Sequence, residues 1–128
     1  MSQGFSKKLQ DEVDKFKLAQ KEYHKAVNKR QQLDGQLNEN TTVKEELDLL
    51  KAENDVFKLI GPVLVKQDLE EAKQNISKRM SYISSEIKRT DELIATLDKK
   101  QESHRANLEK LQQSFQQQQQ QQQRKTKA

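Results

Sequence analysis

The sequence predicts a mainly α fold: a long antiparallel α-helical coiled-coil hairpin with one β-hairpin at the connection. Three observations carry that prediction. Apolar residues recur at alternating spacings of three and four along both halves of the chain, the signature of a helix–helix seam. A single short apolar run, Val56–Lys66, divides the two halves. The only proline, Pro62, stands in the middle of that run beside Gly61, one of 3 glycines.

The N-terminal helix is expected over 5–53. Leu9, Val13, Phe16, Gln20, Tyr23, Val27, Arg30 and Leu37 keep one register. Val43, Leu47 and Leu50 keep another, displaced by one residue, a slip that would change the supercoil winding locally. Thr42 with Glu45 matches a capping box, so the stretch near Asn38–Thr42 admits a kink or short break. A continuous helix with a slipped seam is the preferred reading. Asn54-Asp55 supplies turn-forming residues at the end of the arm.

The hairpin is expected over 56–66. Val56, Phe57, Leu59, Ile60, Val63, Leu64 and Val65 suit a pleated surface, and Gly61-Pro62 breaks the run into strand–turn–strand. Such an apolar two-stranded unit is marginal alone in water, and its edges invite other strands. It reads as an assembly element.

The C-terminal helix is expected over 68–115. One seam position holds Leu69, Ile76, Ile83, Thr90, Leu97, His104 and Leu111; the other holds Lys73, Met80, Ile87, Ile94, Gln101, Leu108 and Phe115. Asp68 is placed to cap the helix, with Glu71 three residues on. If the chain reverses near Ile60–Pro62, facing residues have numbers summing to about 120–123, which sets Gln20 against Gln101 and Arg30 against Thr90, with Phe16 beside His104. Polar layers meeting in this way favour an intramolecular antiparallel pair over a parallel dimer. The remaining residues 116–128 form a glutamine-rich basic tail, Gln116–Gln123 followed by Arg124-Lys125-Thr126-Lys127-Ala128; glutamine allows the helix to extend into it, but nothing holds the end down, so no fixed structure is expected.

Composition narrows the function classes. With 128 residues the chain reads as one domain, and 31% hydrophobic against 34% charged residues is too apolar-poor for a thick core but sufficient for a helical stripe. No cysteine is present, so disulfide and thiol chemistry are excluded. No glycine-rich phosphate loop, nucleophile motif or metal-ligand spacing occurs, and no catalytic, cofactor-binding or metal-binding residue is expected. His24 and His104 are too far apart along the arms to share a metal, and His104 is expected simply to occupy the seam. Net charge is +4 without a basic stripe, so no nucleic-acid partner is expected. No apolar leader or membrane-length run is visible, so a cytoplasmic chain with no membrane partner is expected.

The open ends of the arms hold Phe5, Leu9, Val13 and Phe16 from one helix and Leu108, Leu111 and Phe115 from the other. They either close the coiled coil or form adaptable apolar tips that grip another protein's exposed apolar surface. Terminal turns fray, which makes the large rings of Phe5 and Phe115 harder to explain by closure alone. A holding chaperone and a passive coiled-coil scaffold are the competing function classes.

The order helix, single hairpin, helix resembles the β-class subunits of prefoldin. The resemblance rests on Val43-Lys44-Glu45-Glu46-Leu47, on the hairpin Val56 to Gln67, and on Lys78-Arg79-Met80-Ser81-Tyr82-Ile83, and spans roughly residues 5–115. The glutamine run departs from the family's usual ending. The resemblance implies a subunit of an ATP-independent, cytosolic co-chaperone, a hetero-hexamer of α- and β-class subunits. It implies hairpins joined into β-barrels, and coiled-coil tips that hold nonnative actin and tubulin for delivery to the cytosolic chaperonin.

Overall fold

The structure, a computed structural model, describes residues 3–126; the expectations placed on Met1, Ser2, Lys127 and Ala128 lie outside them. The element order is α1 (Gln3–Leu49), β1 (Val56–Ile60), β2 (Val63–Gln67) and α2 (Leu69–Thr126). This is the two-helix, one-hairpin fold that the sequence predicts. The chain divides into two compact units, Met1–Val27 with Glu92–Ala128, and Asn28–Asp91.

On α2 the buried and half-buried positions include Leu69, Ile76, Ile83, Thr90, Leu97, His104 and Leu111, and also Lys73, Met80, Ile87, Ile94, Gln101, Leu108 and Phe115. These are the expected seam residues. Asp68 caps the helix: its carboxylate accepts the Glu71 N–H at 3.2 Å, and its carbonyl accepts the Ala72 N–H at 2.9 Å. The first bond satisfies an amide group that a helix start leaves open, and the second is the first regular bond of the helix.

The α1 seam differs from the expectation. The inward positions follow one unbroken alternation: Phe5, Leu9, Glu12, Phe16, Ala19, Tyr23, Ala26, Arg30, Leu33, Leu37, Asn40, Lys44 and Leu47. There is no slip. Gln20 is exposed rather than facing Gln101, and Val43 is exposed rather than starting a second register. Val13, Val27 and Leu50 flank the seam, half-buried. The physical reason lies in two small residues. Ala19, only 1% exposed, and Ala26 hold seam positions where larger neighbours drew the pattern aside. A small side chain there permits close helix approach.

The helix also runs unbroken through Asn38–Thr42. Thr42 does not cap a new helix. Asn40 Nδ2, Thr41 Oγ1 and Thr42 Oγ1 donate to the carbonyls of Gln36, Leu37 and Asn38, at 2.7, 2.8 and 3.1 Å. Side chains that often compete with helical bonding here bond back onto the preceding turn. α1 does stop short of residue 53. The Asn54 carboxamide accepts the Lys51 N–H at 2.8 Å, and the Asn54 N–H reaches the Lys51 carbonyl at 2.9 Å. This turn replaces the last helical turn expected from sequence.

In the Asn28–Asp91 unit, Leu47, Ala72 and Ile76 form a buried cluster, with Leu50, Val56, Leu69 and Met80 packed against it. Val56 thereby ties the root of the hairpin to both helices. At Arg30 the guanidinium reaches Asp34 on its own helix and Asp91 on α2, the latter at 2.7 Å, while Thr90 is 3% exposed. The polar layer expected from Arg30 and Thr90 thus contains Asp91 as the partner that takes the charge.

At its other end α2 continues through Gln116–Gln123 to Thr126, where a tail without fixed structure was expected. Glutamine is a fair helix former, and lengthening an existing helix avoids the cost of nucleation.

The seam gives a direct test. Phe5 and Phe115 stack at 5.5 Å, and their numbers sum to 120. Ala19 and Gln101, both inward, share that sum. Ala19→Cys with Gln101→Cys is expected to form an intramolecular disulfide rapidly, and Gln20→Cys with Gln101→Cys much more slowly, because the second pair does not face inward. Thiol titration during mild oxidation measures both rates.

Candidate functional site

β1 and β2 pair antiparallel in the register Val56 with Gln67, Phe57 with Lys66, Lys58 with Val65, Leu59 with Leu64 and Ile60 with Val63. Two residues, Gly61 and Pro62, close the turn. Gly61 adopts φ of 57°, the left-handed region. A type I′ turn needs positive φ at both central residues, which the proline ring forbids. Glycine first and proline second therefore fit the type II′ form, whose twist matches the strands.

The pairing sorts the side chains. Val56, Lys58, Ile60, Val63, Val65 and Gln67 share one face; Phe57, Leu59, Leu64 and Lys66 share the other. Both faces are apolar, and only Val56 and Gln67 are even half-buried. Leu59 is 68% and Leu64 65% exposed, as a cross-strand pair in open solvent. The edges are open as well. A two-residue turn makes Ile60–Val63 the closing hydrogen-bonded pair, so the ladder alternation turns the N–H and C=O groups of Phe57, Leu59, Leu64 and Lys66 outward. Among the described residues this is the largest run of exposed apolar side chains, and it coincides with the expected assembly hairpin.

The expected tip residues look different. Phe5, Leu9, Val13, Phe16, Leu108, Leu111 and Phe115 are all half-buried. Phe5 and Phe115 stack with rings 22° apart, and the Arg105 guanidinium lies 5.9 Å from the centre of the Phe16 ring. The rings are thus neither bare nor enclosed.

A polar clasp missed by sequence reasoning sits among them. Glu12 occupies a seam position, and one of its oxygens accepts from His104 Nδ1–H at 2.7 Å and Asn107 Nδ2–H at 3.0 Å. These bonds from α2, first of all the one from His104, hold the Glu12 carboxyl below its ordinary range. Strict continuation of the three–four alternation back from Leu37 would have found Glu12. His104 is therefore a bonded seam partner and not just a tolerated one. Among the described residues no group of three or more His, Cys, Asp or Glu could hold a metal, and no helix is long and apolar enough to cross a membrane.

The clasp gives stability a pH dependence. Glu12 binds its proton more weakly in the folded chain than in the unfolded one, so the unfolded chain carries more protons in acid. Its contribution is complete above the unfolded carboxylate range, about pH 4.5, and is lost as pH falls through the lower folded value. Thermal melting of the parent should therefore fall more steeply below about pH 5 than that of Glu12→Gln. Parallel curves for the two would show that the clasp contributes nothing.

Comparison with known proteins agrees with this architecture. A family model for prefoldin subunits matches residues 10–122. The chain is 49% identical over 116 residues to prefoldin subunit 6 of Mus musculus, covering 91% of each chain. It is 44% identical over 108 residues to prefoldin subunit 6 of Arabidopsis thaliana, covering 84% of each. Among solved structures, the prefoldin beta subunit from Thermococcus strain KS-1 superposes with a TM-score of 0.73 at 16% identity, over 80% of this chain and 90% of that one. The fold of two long helices joined by one hairpin is thus shared with a prefoldin beta subunit, and the chain belongs to the prefoldin subunit family.

Proposed function

We propose that the chain is a β-class subunit of a hexameric, ATP-independent co-chaperone that works in the cytoplasm. Its hairpin joins those of other α- and β-class prefoldin subunits into a β-barrel. Its open arm ends hold nonnative chains, actin and tubulin among them, for delivery to the cytosolic chaperonin. Membership of the prefoldin family supports a chaperone subunit that works with other prefoldin subunits. The observation that carries the reading is the hairpin itself, apolar on both faces and open at both edges. Burying such a surface against neighbouring strands removes apolar area from water at about 25 cal/mol per Å² and pairs its edge groups.

The hairpin's exposure separates assembly from folding. Leu59→Asp with Leu64→Asp places charge where the lone chain exposes it to water, so helicity should stay unchanged. In a barrel the same charges would be buried without partners, at several kcal/mol each. The double variant is expected to be lost from the assembly when co-expressed with partner subunits and purified through one of them. Normal co-purification would refute hairpin-mediated assembly.

Holding is assigned to the half-buried rings of Phe5 and Phe115 with Leu9, Val13, Phe16, Leu108 and Leu111. The first turns can open and offer these side chains to an unfolded chain, with no nucleotide step. Phe5→Ser with Phe115→Ser should leave the assembly intact and weaken capture of a denatured protein about tenfold or more, given the loss of two large apolar side chains. Light scattering on dilution from denaturant reads the effect. Unchanged suppression of aggregation would favour a passive scaffold over a holding subunit.

A further inference from the structure

A groove in the Asn28–Asp91 unit lies where the hairpin meets the helices. Its volume is about 310 Å³. Leu47, Val56, Ala72 and Ile76 line it with apolar surface, Val43 and Phe57 add more, and Lys58, Asn75 and Arg79 supply polar atoms. None of its lining residues is acidic. Among the described residues Arg79 and Lys58 have no ion-pair partner, so two cations stand over an apolar floor without compensation. One turn beyond Arg79 on α2, Tyr82 is 65% exposed and falls on the same side of the helix as Arg79. Tyrosine and arginine beside an apolar floor are the residue types that dominate binding at protein interfaces.

Two features select the occupant. The groove shares Val56, Phe57 and Lys58 with β1, and Phe57 is one of the residues whose N–H and C=O groups turn outward from the ladder. A chain that pairs with the β1 edge therefore continues over the groove. The charge of the lining is wholly positive, which suits a segment carrying carboxylates among apolar side chains. We infer that the groove is the seat of an acidic, apolar segment of a neighbouring prefoldin subunit, held by Arg79, Lys58 and Tyr82 beside the hairpin contact. This inference rests on the assembly reading and adds a second, charge-selected contact to it. Such a contact would discriminate between neighbours that all offer similar apolar hairpins.

The test uses the full chain co-expressed with its partner subunits. A photoreactive benzoylphenylalanine placed at Asn75 should crosslink to a neighbouring subunit, at a peptide containing Asp or Glu. Arg79→Glu should lower incorporation about tenfold, and reversing the crosslinked acidic residue to Lys should restore it. The circular dichroism and melting of the lone Arg79→Glu chain should match the parent. Leu59→Asp with Leu64→Asp lies outside the groove and reports on hairpin assembly separately. If that pair incorporates normally while Arg79→Glu does not, the groove stands and hairpin assembly falls. Parent-like incorporation of Arg79→Glu would overturn the groove, as would crosslinks confined to a client or to a second copy of this chain.

Discussion

A narrow helix–helix seam, held in one antiparallel register, is the constraint on which the structure depends. The chain is too polar for a thick core, with a mean hydropathy of -1.15. Its buried hydrophobic residues are few and small or branched, such as Ala19, Ala26, Ile76 and Ile83. A seam of this kind could shift by a heptad at little cost if it were uniformly apolar. Polar residues prevent that. Glu12 must meet His104 and Asn107, and Arg30 must meet Asp91. Sliding the helices would strand a half-buried carboxylate and leave the mostly buried Thr90 without its setting, which is more costly than the bonds are stabilising. The polar positions thus define the register, while the apolar ones supply the attraction.

The hairpin shows the opposite balance. Its geometry is well specified locally, by Gly61 and Pro62 at the turn, Asp68 at the helix start and Val56 in the core cluster. Its surface is left unsatisfied. Among the described residues nothing covers Leu59 or Leu64, and a two-stranded ribbon does not hold itself together well. Local specification with missing cover is the physical description of an element built for association, because the partner then has little conformational entropy to remove. Gln67 and the ion pair of Lys66 with Asp55 do little to alter this, the latter being largely solvated.

What the sequence disclosed follows from how each signal is written. The α2 seam was legible because isoleucine, leucine and methionine fill it from Leu69 onward, and the hairpin because Gly61-Pro62 punctuates a run of β-branched residues. The α1 register was not. Val13 and Val27 lie beside the seam and are apolar, whereas Ala19 and Ala26 lie in it and resemble ordinary helix filler. Hydrophobicity ranks the valines higher, but helix geometry ranks the alanines inward, and only a strict three–four count resolves the conflict. Asn54 signals a stop at its own position, but its carboxamide accepts the Lys51 N–H three residues earlier. The unpaired cations of the groove left no pattern at all, since Lys58 and Arg79 come together only where strand and helices meet.

The open arm ends occupy a middle ground that bears on how a holding subunit of the kind proposed could release a client. Stacking of Phe5 on Phe115 contributes about 0.5–1.5 kcal/mol beyond area burial, so separating the rings is affordable to any client that covers them instead. The next constraint inward is Glu12, bonded twice across the helices. In the proposed role it would set a boundary, with the turns before it opening by fraying and the turns after it staying paired. A client would then exchange its own apolar contacts for those the rings made with each other, and the net gain per arm would stay small. Weak individual arms acting together give avidity without irreversible capture. In the holding role proposed above, closure of Phe5 on Phe115 would itself compete with a client for these rings.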